Sequence, residues 1–441
     1  MAKVTLIGAG SAVFAKNVCG DIILSPAMRD CHIALYDIDK KRLAESKSII
    51  AALNKKINSG RAKITAHCGV QNRRAALKDA DYVINSIQIG NHILNTQIDF
   101  EIPKKYGLRQ TIGDTLGIGG IFRGLRTIPI MLDFARDIEA VCPDAWFLNY
   151  SNPMAILTGA MLRATNVKTV GLCHSVQVCA TMLLKQLGMF KTVKKLNWKV
   201  AGINHMAWLL EITDDSKDIY PEIKRRAARM NTLARKKGAK KHIDMVRYEV
   251  MKHFGYYITE SSEHNAEYTP YWIKTTCPEL IEEFNIPLDE LPRRGIMLAE
   301  RWNDLYKSLS KSHTRSHEYA ARILSAVETD TPVRIHGNVL NKGFITNLPS
   351  ESVVEIPCLV DRNGVQGCYV GQLPQQCAAL NRTNINVQLL TIEAAVTGKK
   401  EYIYQAAMLD PHTAAELTLD RICDLCDDLI KAHGDALPNY K

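Results

Sequence analysis

The sequence predicts an α/β protein: a doubly wound parallel sheet followed by a mixed α+β domain. Two observations carry this. In the first half of the 441 residues, short near-continuous apolar runs alternate with longer amphipathic stretches, the order that gives parallel strands joined by crossover helices. After about residue 175 that alternation stops, and strand-like and helical segments are mixed. The chain therefore divides into 1–175, the doubly wound sheet, and 176–441, a mixed α+β domain packed on the first. Five strands are legible in the first part: KVTLIG (3–8), HIALYD (32–37), DYVINSI (81–87), AWFLNY (145–150) and VKTVGL (167–172). Each is apolar along its length, as a strand covered on both faces must be. KKRLAESKSIIAALNKKI (40–57) repeats its apolar positions at helical spacing. The second part opens with a strand, NWKVAGI (197–203), and continues through a basic stretch and a helical run over 286–328. A β-rich region over 333–360 and further helices follow.

Composition narrows the classes of function. With 46% hydrophobic and 23% charged residues the chain is an ordinary globular protein, which excludes disorder and low-complexity architectures. No apolar run approaches the roughly 20 residues that cross a bilayer. The opening MAKVTLIGAG reads as a buried strand and not as a signal segment, so no membrane association and a cytoplasmic location are expected. In that setting the twelve cysteines, scattered from Cys19 to Cys426, read as reduced thiols, and Cys423 with Cys426 in LDRICDLCDDLI as helix packing. The net charge of +10 is local: residues 224–242 hold nine Lys or Arg and no acid. That stretch has no aromatic residue to stack on bases, so it reads as a solvated, mobile segment, and no nucleic-acid partner is expected.

The first strand runs into Gly8-Ala9-Gly10-Ser11 and then a helical stretch, AVFAKNVCGDIIL. A tight glycine turn there lets backbone N–H groups and a helix N-terminus meet a pyrophosphate, the Rossmann-type arrangement. Val13 stands where a third glycine is usual, so the turn alone is equally that of a ligand-free strand-turn-helix. The second strand adds Asp37 at its end, 27 residues after Gly10, where a carboxylate accepts from an adenosine ribose and disfavours a 2′-phosphate. NAD is the expected cofactor. Asp39 is the better candidate for the local turn.

Four further clusters could do chemistry. Cys173, at the end of the fifth legible strand, and His205, at the end of a later one, could share a divalent metal, with His174 competing for the second place. Each could equally be an ordinary buried side chain. Asp114 lies in the glycine-rich turn GDTLGIGG, where burial would raise its pKa towards that of a general acid. Alternatively it caps the helix expected to begin near Ile121, which carries Arg123 and Arg126. Asn152, after the fourth legible strand, offers an amide to a hydroxylated ligand. The stretch 258–272 packs Glu260, Ser262, His264, Glu267 and Tyr268 beside Tyr271 and Trp272, a mixture that suits a sugar.

Together these segments resemble the NAD- and metal-dependent glycoside hydrolases of family four. The resemblance runs from IGAGSAVFAKN through LYDIDKKRL, QTIGDTLGIGG, RTIP, LNYSNPMA, VGLCHSVQ, AGINHMA and FGYYITESSEHNAEYTP to TNINVQLL and LDPHTAAEL. It implies a route outside the two-carboxylate glycosidase scheme. The sugar is oxidised at C3 by NAD, a base removes the acidified C2 proton, the C1–O bond leaves, water adds, and the hydride returns. It further implies Cys173 and His205 as ligands of Mn²⁺, Asp114 as acid to the leaving group, Tyr268 as the C2 base, Asn152 and His264 as sugar contacts, and a homodimer or homotetramer. Tyr256, Tyr257 and Tyr271 compete with Tyr268. Two departures border the expected sugar site: Ile87-Gln88-Ile89-Gly90-Asn91-His92 in place of a Gly-Gly turn, and Ile118 where relatives carry Pro. Between Gln88 and Asn95 there is no Arg of the kind phospho-sugar members carry, which favours an unphosphorylated α-galactoside over a phosphorylated sugar, with an α-glucoside or a uronide next. Two other classes share the nucleotide turn. A hydroxy-acid dehydrogenase would use Arg123 for a carboxylate and leave Cys173 and His205 unexplained. An NAD-sensing regulator would use residues 224–242 to hold nucleic acid.

Overall fold

The computed structural model describes residues 1–90 and 94–441. Its strands are β1 (Lys3–Ile7), β2 (His32–Asp37), β3 (Lys63–Cys68), β4 (Tyr82–Asn85), β5 (Trp146–Asn149), β6 (Lys168–Gly171), β7 (Leu196–Ile203), β8 (Met206–Asp214), β9 (Lys217–Asp218), β10 (Tyr257–Ile258), β11 (Val333–Leu340), β12 (Val353–Asp361) and β13 (Gly364–Gly367). All belong to one sheet. Its parallel half has the order β3-β2-β1-β4-β5-β6, the double winding whose direction reverses between β1 and β4 and so opens a crevice above those strands. β1, β4 and β5 are buried almost throughout because helices cover both faces. β3 had no counterpart among the five strands legible in the sequence. It is the edge strand of the sheet, Lys63 is exposed and the rest only half-buried, and the residues Lys-Ile-Thr-Ala-His-Cys carry no continuous apolar signal.

Three helices fix the parallel half in ways the local sequence explains. Ala12–Leu24 leaves the glycine turn. Lys40–Asn58 starts at Asp39, whose carboxylate accepts from the Arg42 N–H at 3.0 Å, so Asp39 does the capping and Asp37 is free of it. Gly117–Val141 begins four residues earlier than the sequence suggests. Its N-cap is Leu116, so Asp114 is not the cap.

The second half continues the same sheet as antiparallel strands. β11 joins β6 at the pair Asn338↔Gly171, and β12 joins β7 at Glu355↔Gly202. β7 and β8 form a hairpin closed by Asn204 and His205, with His205 at φ +63°, a left-handed conformation that few side chains adopt. The basic stretch is ordered in its first part: residues 224–234 lie in the helix Tyr220–Ala234, which buries Ile223, Ala227 and Ala234. Its Arg225 and Arg226 pair with Glu222 on the outer face. The twelve cysteines are all free thiols, and Cys426 is buried in the helix Leu419–His433. Among the described residues no helix is long and apolar enough to cross a membrane.

One buried cap makes folding sensitive to pH. Asp410 is fully buried and accepts from the Thr413 N–H at 2.9 Å and the Thr413 hydroxyl at 2.6 Å. Burial, only partly offset by the Thr413 hydrogen bonds, pushes its carboxyl up to about 6. A raised acid stabilises the fold while protonated, and that stabilisation disappears as pH rises through about 6. Asp410→Asn, which cannot ionise, should therefore flatten the decline in urea-unfolding free energy between pH 5 and pH 8 relative to wild type. Parallel profiles would show that the carboxyl is already ionised in the fold across this range.

Candidate active site

The glycine turn sits at the carboxyl end of β1. The Gly8 and Ala9 N–H groups both donate to the Tyr36 carbonyl at 3.0 Å, and Gly8 has φ +80°. A Cβ at Gly8 would lie 2.7 Å from the Ser86 carbonyl carbon and oxygen, so the turn packs on β4 only with glycine there. Gly10 donates its N–H to Asp37 Oδ2 at 2.6 Å, while Asp37 Oδ1 accepts from the Asp39 N–H at 2.9 Å. Ser11, exposed at the start of the helix, makes no side-chain cap, so the first-turn N–H groups have no anionic or hydroxyl partner from their own cap. An uncapped helix start beside a carboxylate fits a diphosphate joined to a ribose.

A second group of side chains assembles from both halves. Cys173, two residues beyond β6, places its Sγ 3.5 Å from His205 Nε2. The carboxylate of Glu260 lies 3.6 Å from the same nitrogen, and the three possible ligand atoms fall within 4.8 Å of one another. His174 turns away, exposed, with Nδ1 3.8 Å from Glu318, so His205 is the histidine that meets Cys173. The thiol is pushed up by burial and by the charges of Glu355 and Glu260. His205 Nδ1 lies 3.4 Å from the Tyr268 hydroxyl. Of the competing tyrosines, Tyr257 donates to Asp244 at 2.5 Å and Tyr271 is exposed, so Tyr268 alone among the four has a described bond into this cluster. Burial, reinforced by Asp114, Glu267 and Glu260, holds the proton on Tyr268.

Asp114 and Asn152 complete the cluster on the side of the parallel half. Asp114 accepts from Thr115 Oγ1 at 2.7 Å and from the Asn152 amide at 3.3 Å, with His264 Nε2 3.8 Å away. The expected upward shift of Asp114 is reversed. Burial does raise it, but the hydrogen bond and charge of His264, with the charges of Arg123 and His205, outweigh burial and hold the carboxyl below the usual range. His264 is shifted the opposite way. Burial disfavours its charge, but Glu260 and Asp114 overcome that and shift it upward. Ser261 fixes this ring, its hydroxyl 2.8 Å from Nδ1.

The structure adds residues the sequence reading did not single out. Glu260 is one: it was noted among polar neighbours of a sugar, but its place beside Cys173 and His205 depends on a left-handed turn at φ +69°. Glu355, on β12, is fully buried, bonded to the Asn204 amide at 3.3 Å and pushed up to about 7 by burial. Arg123 donates from Nε to the Asn152 carbonyl at 3.1 Å. Asn85, at the end of β4, donates to Asn149 at 2.8 Å and Ser151 at 3.3 Å, and Ser151 donates to the Ile87 carbonyl at 2.7 Å, which ties the turn after β4 to the turn after β5. A signal existed for Arg123, flagged as a carboxylate ligand, and none for Asn85. Ile118 is buried in an apolar cluster with Ile121, Phe122 and Leu125. Trp272 packs edge-on against Phe284 at 4.8 Å, which takes its face away from any sugar. Asn91 and His92 lie outside the described residues.

The loop that carries Asp114 hangs on one carboxyl group. Glu267 Oε2 accepts from the Thr111 and Ile112 N–H groups at 2.7 and 3.2 Å, and Oε1 from Gly113 at 2.8 Å. Burial pushes Glu267 up to about 7 against these bonds and the charge of His264. Glu267→Gln turns an N–H₂ towards a backbone donor and should cost about 1–3 kcal/mol in urea unfolding, with a loss of activity larger than the loss of substrate affinity. Unchanged kcat would show that the loop is held by its other contacts.

Residues 3–189 match the family 4 glycosyl hydrolase model and residues 200–413 match the family 4 glycosyl hydrolase C-terminal domain. The chain is 58% identical to an α-galactosidase of Bacillus subtilis (strain 168) over 445 residues, which covers 100% of both sequences. It is 33% identical to an α-galactosidase of Rhizobium meliloti (strain 1021), covering 99% of this chain and 89% of the relative. Among solved structures, the fold matches a 6-phospho-β-glucosidase from Thermotoga maritima, solved with manganese, NAD⁺ and glucose-6-phosphate. The TM-score is 0.77 at 21% identity, covering 99% of each chain. With both halves matched in order and the whole length aligned to such a relative, this chain belongs to the family 4 glycosyl hydrolases and is a glycosidase.

Proposed function

We propose that this glycosidase hydrolyses unphosphorylated α-galactosides such as melibiose, by oxidation, elimination, addition of water and reduction, with NAD and a divalent metal, Mn²⁺, as cofactors. The observation that carries the reading is the convergence of Cys173 Sγ, His205 Nε2 and the Glu260 carboxylate within 4.8 Å, beside Asp114, His264, Asn152 and Tyr268. The donor set fits a divalent ion: a thiol, an imidazole and a carboxylate. Glu260 and Glu355 face this place, and neither forms an ion pair with a Lys or Arg among the described residues. The glycine turn and Asp37 fit NAD. Manganese and NAD⁺ in the Thermotoga maritima 6-phospho-β-glucosidase support the pairing, and the Bacillus subtilis and Rhizobium meliloti α-galactosidases support the sugar.

When bound, the nicotinamide supplies a reversible two-electron oxidant for a ring carbinol, and the metal supplies a Lewis acid for neighbouring sugar oxygens. The rest falls to the chain. Tyr268, held by His205, is placed to take the C2 proton once its own hydroxyl proton has been lost to solvent, a loss that a cation held by the neighbouring Cys173, His205 and Glu260 would favour. Asp114 and His264, 3.8 Å apart, act as one acid that delivers a proton to the leaving oxygen. Asn152, already a donor to Asp114, orients a sugar hydroxyl. A homodimer or homotetramer belongs to the same reading.

p-Nitrophenol release from α-galactoside and α-glucoside substrates tests it. Activity should require NAD⁺, Mn²⁺ and a thiol reductant together, prefer the galactoside, and vanish in Cys173→Ser. Asp114→Asn and Tyr268→Phe should each lower kcat about 100-fold or more. In D₂O the released sugar should carry deuterium at C2. Full hydrolysis without NAD⁺ and metal would overturn the mechanism, and a preference for glucoside would overturn the substrate.

A further inference from the structure

The antiparallel strands enter the sheet through one cross-strand pair. Asn338 on β11 and Glu355 on β12 are register partners. Directly opposed residues of an antiparallel pair project from the same face. Asn338 is also the residue at which β11 meets β6, opposite Gly171, and Glu355 the residue at which β12 meets β7, opposite Gly202. Each side chain then reaches towards a ligand-bearing arm. The Asn338 amide donates to the Gly171 carbonyl at 3.3 Å, two residues before Cys173. The Glu355 carboxylate accepts from the Asn204 amide at 3.3 Å, the residue before His205.

Glu355, Asn338 and Asn204 are all completely buried. Among the described residues, one oxygen of each, Glu355 Oε1, Asn338 Oδ1 and Asn204 Oδ1, has no hydrogen-bond partner. A buried acid with an unmatched oxygen and no cationic ion-pair partner is costly, and a well-packed apolar residue would serve the sheet better. The arrangement is accounted for when positive charge resides on the neighbouring ligands. The cluster's own contacts lead to the same place, because the bonds from this pair end one residue from His205 and two from Cys173.

We propose that Glu355 is a positioning residue for the metal-binding pair: through Asn204 it holds the left-handed His205 corner, and its buried carboxyl, which a bound divalent cation would keep ionised, completes the site for that cation. The inference rests on the metal reading given above and extends it to a carboxylate that is not itself among the three clustered ligand atoms. Outer carboxylates of this kind orient metal-binding imidazoles.

The test is Mn²⁺ titration of the full chain, freed of metal by chelation and followed by the EPR signal of free Mn²⁺, with NAD⁺ affinity read separately from tryptophan fluorescence. Glu355→Gln keeps the size and the acceptor for Asn204 but removes the charge. It should weaken Mn²⁺ binding about tenfold or more, with NAD⁺ affinity unchanged, and Glu355→Ala should weaken it further. If a Glu355 variant does not fold, Asn204→Ala removes the same contact from the other side and should also weaken Mn²⁺ binding while NAD⁺ affinity persists. Wild-type Mn²⁺ affinity in folded Glu355→Gln and Glu355→Ala, with binding lost in Cys173→Ser, would overturn the role of Glu355 and leave the metal site standing. Failure of the wild-type chain itself to bind Mn²⁺ would overturn the metal reading and this inference together.

Discussion

Everything in the candidate site depends on how two strands are made to meet. β6 and β7 are not neighbours; β11 and β12 lie between them, and three successive antiparallel pairings make β7 run against β6. The two strands therefore approach from opposite ends and stop at one row, Gly171, Asn338, Glu355 and Gly202. A chain that has just left β6 and a chain that has just left β7 are brought side by side only there. Cys173 follows Gly171 by two residues and His205 follows Gly202 by three, which is why a thiol and an imidazole 32 positions apart come to 3.5 Å. At both junctions the ladder is a single pair, so the geometry rests on side chains as much as on backbone hydrogen bonds. Gly171 and Gly202 are suited to this crowding: a Cβ on Gly171 would lie 2.5 Å from Thr158 Oγ1, and one on Gly202 would lie 2.7 Å from the Ala207 Cα.

The electrostatics of the site follow from that crowding. Asp114, Glu260, Glu267 and Glu355 are gathered in one water-poor region, and burial raises every one of them before partners are counted. What separates them is the cation each can reach. His264 and Arg123 lower Asp114, and His205 and His264 lower Glu260. Glu267 has the charge of His264 and backbone N–H groups, which do not offset burial, and Glu355 has His205 and amide donors, which also fall short. Two carboxyls are thus held ionised and two held up near 7 within one cluster, the pattern by which neighbouring acids take different roles.

The sequence shows the parts of this protein whose cause is local. β1, β2, β4, β5 and β6 are legible because double burial demands unbroken apolar runs, and the glycine turn is legible because Gly8, at φ +80°, takes a backbone conformation that favours glycine. β3 is hidden because an edge strand is half-exposed and alternates. β8 is hidden because Asn204-His205 contains no glycine to announce a hairpin, and the strain at His205 is borne by contacts far away in the chain. Cys173, His205, Asp114, Tyr268, Asn152 and His264 could be named as candidates, yet composition and spacing left each open to an ordinary structural explanation. Their convergence is what supports the functional reading, and that convergence is a property of strand order. The shift of Asp114 was misread for the same reason: burial is suggested by glycine-rich neighbours, whereas His264 is 150 residues away and invisible from the turn.

The division of labour between the two halves has a physical consequence for the reaction. The parallel half contributes Gly8, Gly10 and Asp37, the residues proposed for the nucleotide, and Asp114, Asn152 and Cys173 at the ends of its connections. On its own it would present a thiol with no imidazole and an Asp114 with no proton donor beside it. The antiparallel half contributes His205, Glu260, His264 and Tyr268, and without the first half these would surround nothing that could exchange electrons with a sugar. A dehydrogenase needs the nucleotide and one acid-base pair. This site adds a second set of groups, reached only by running β7 back against β6, and it is this addition that the proposed elimination, beside the proposed oxidation, would use.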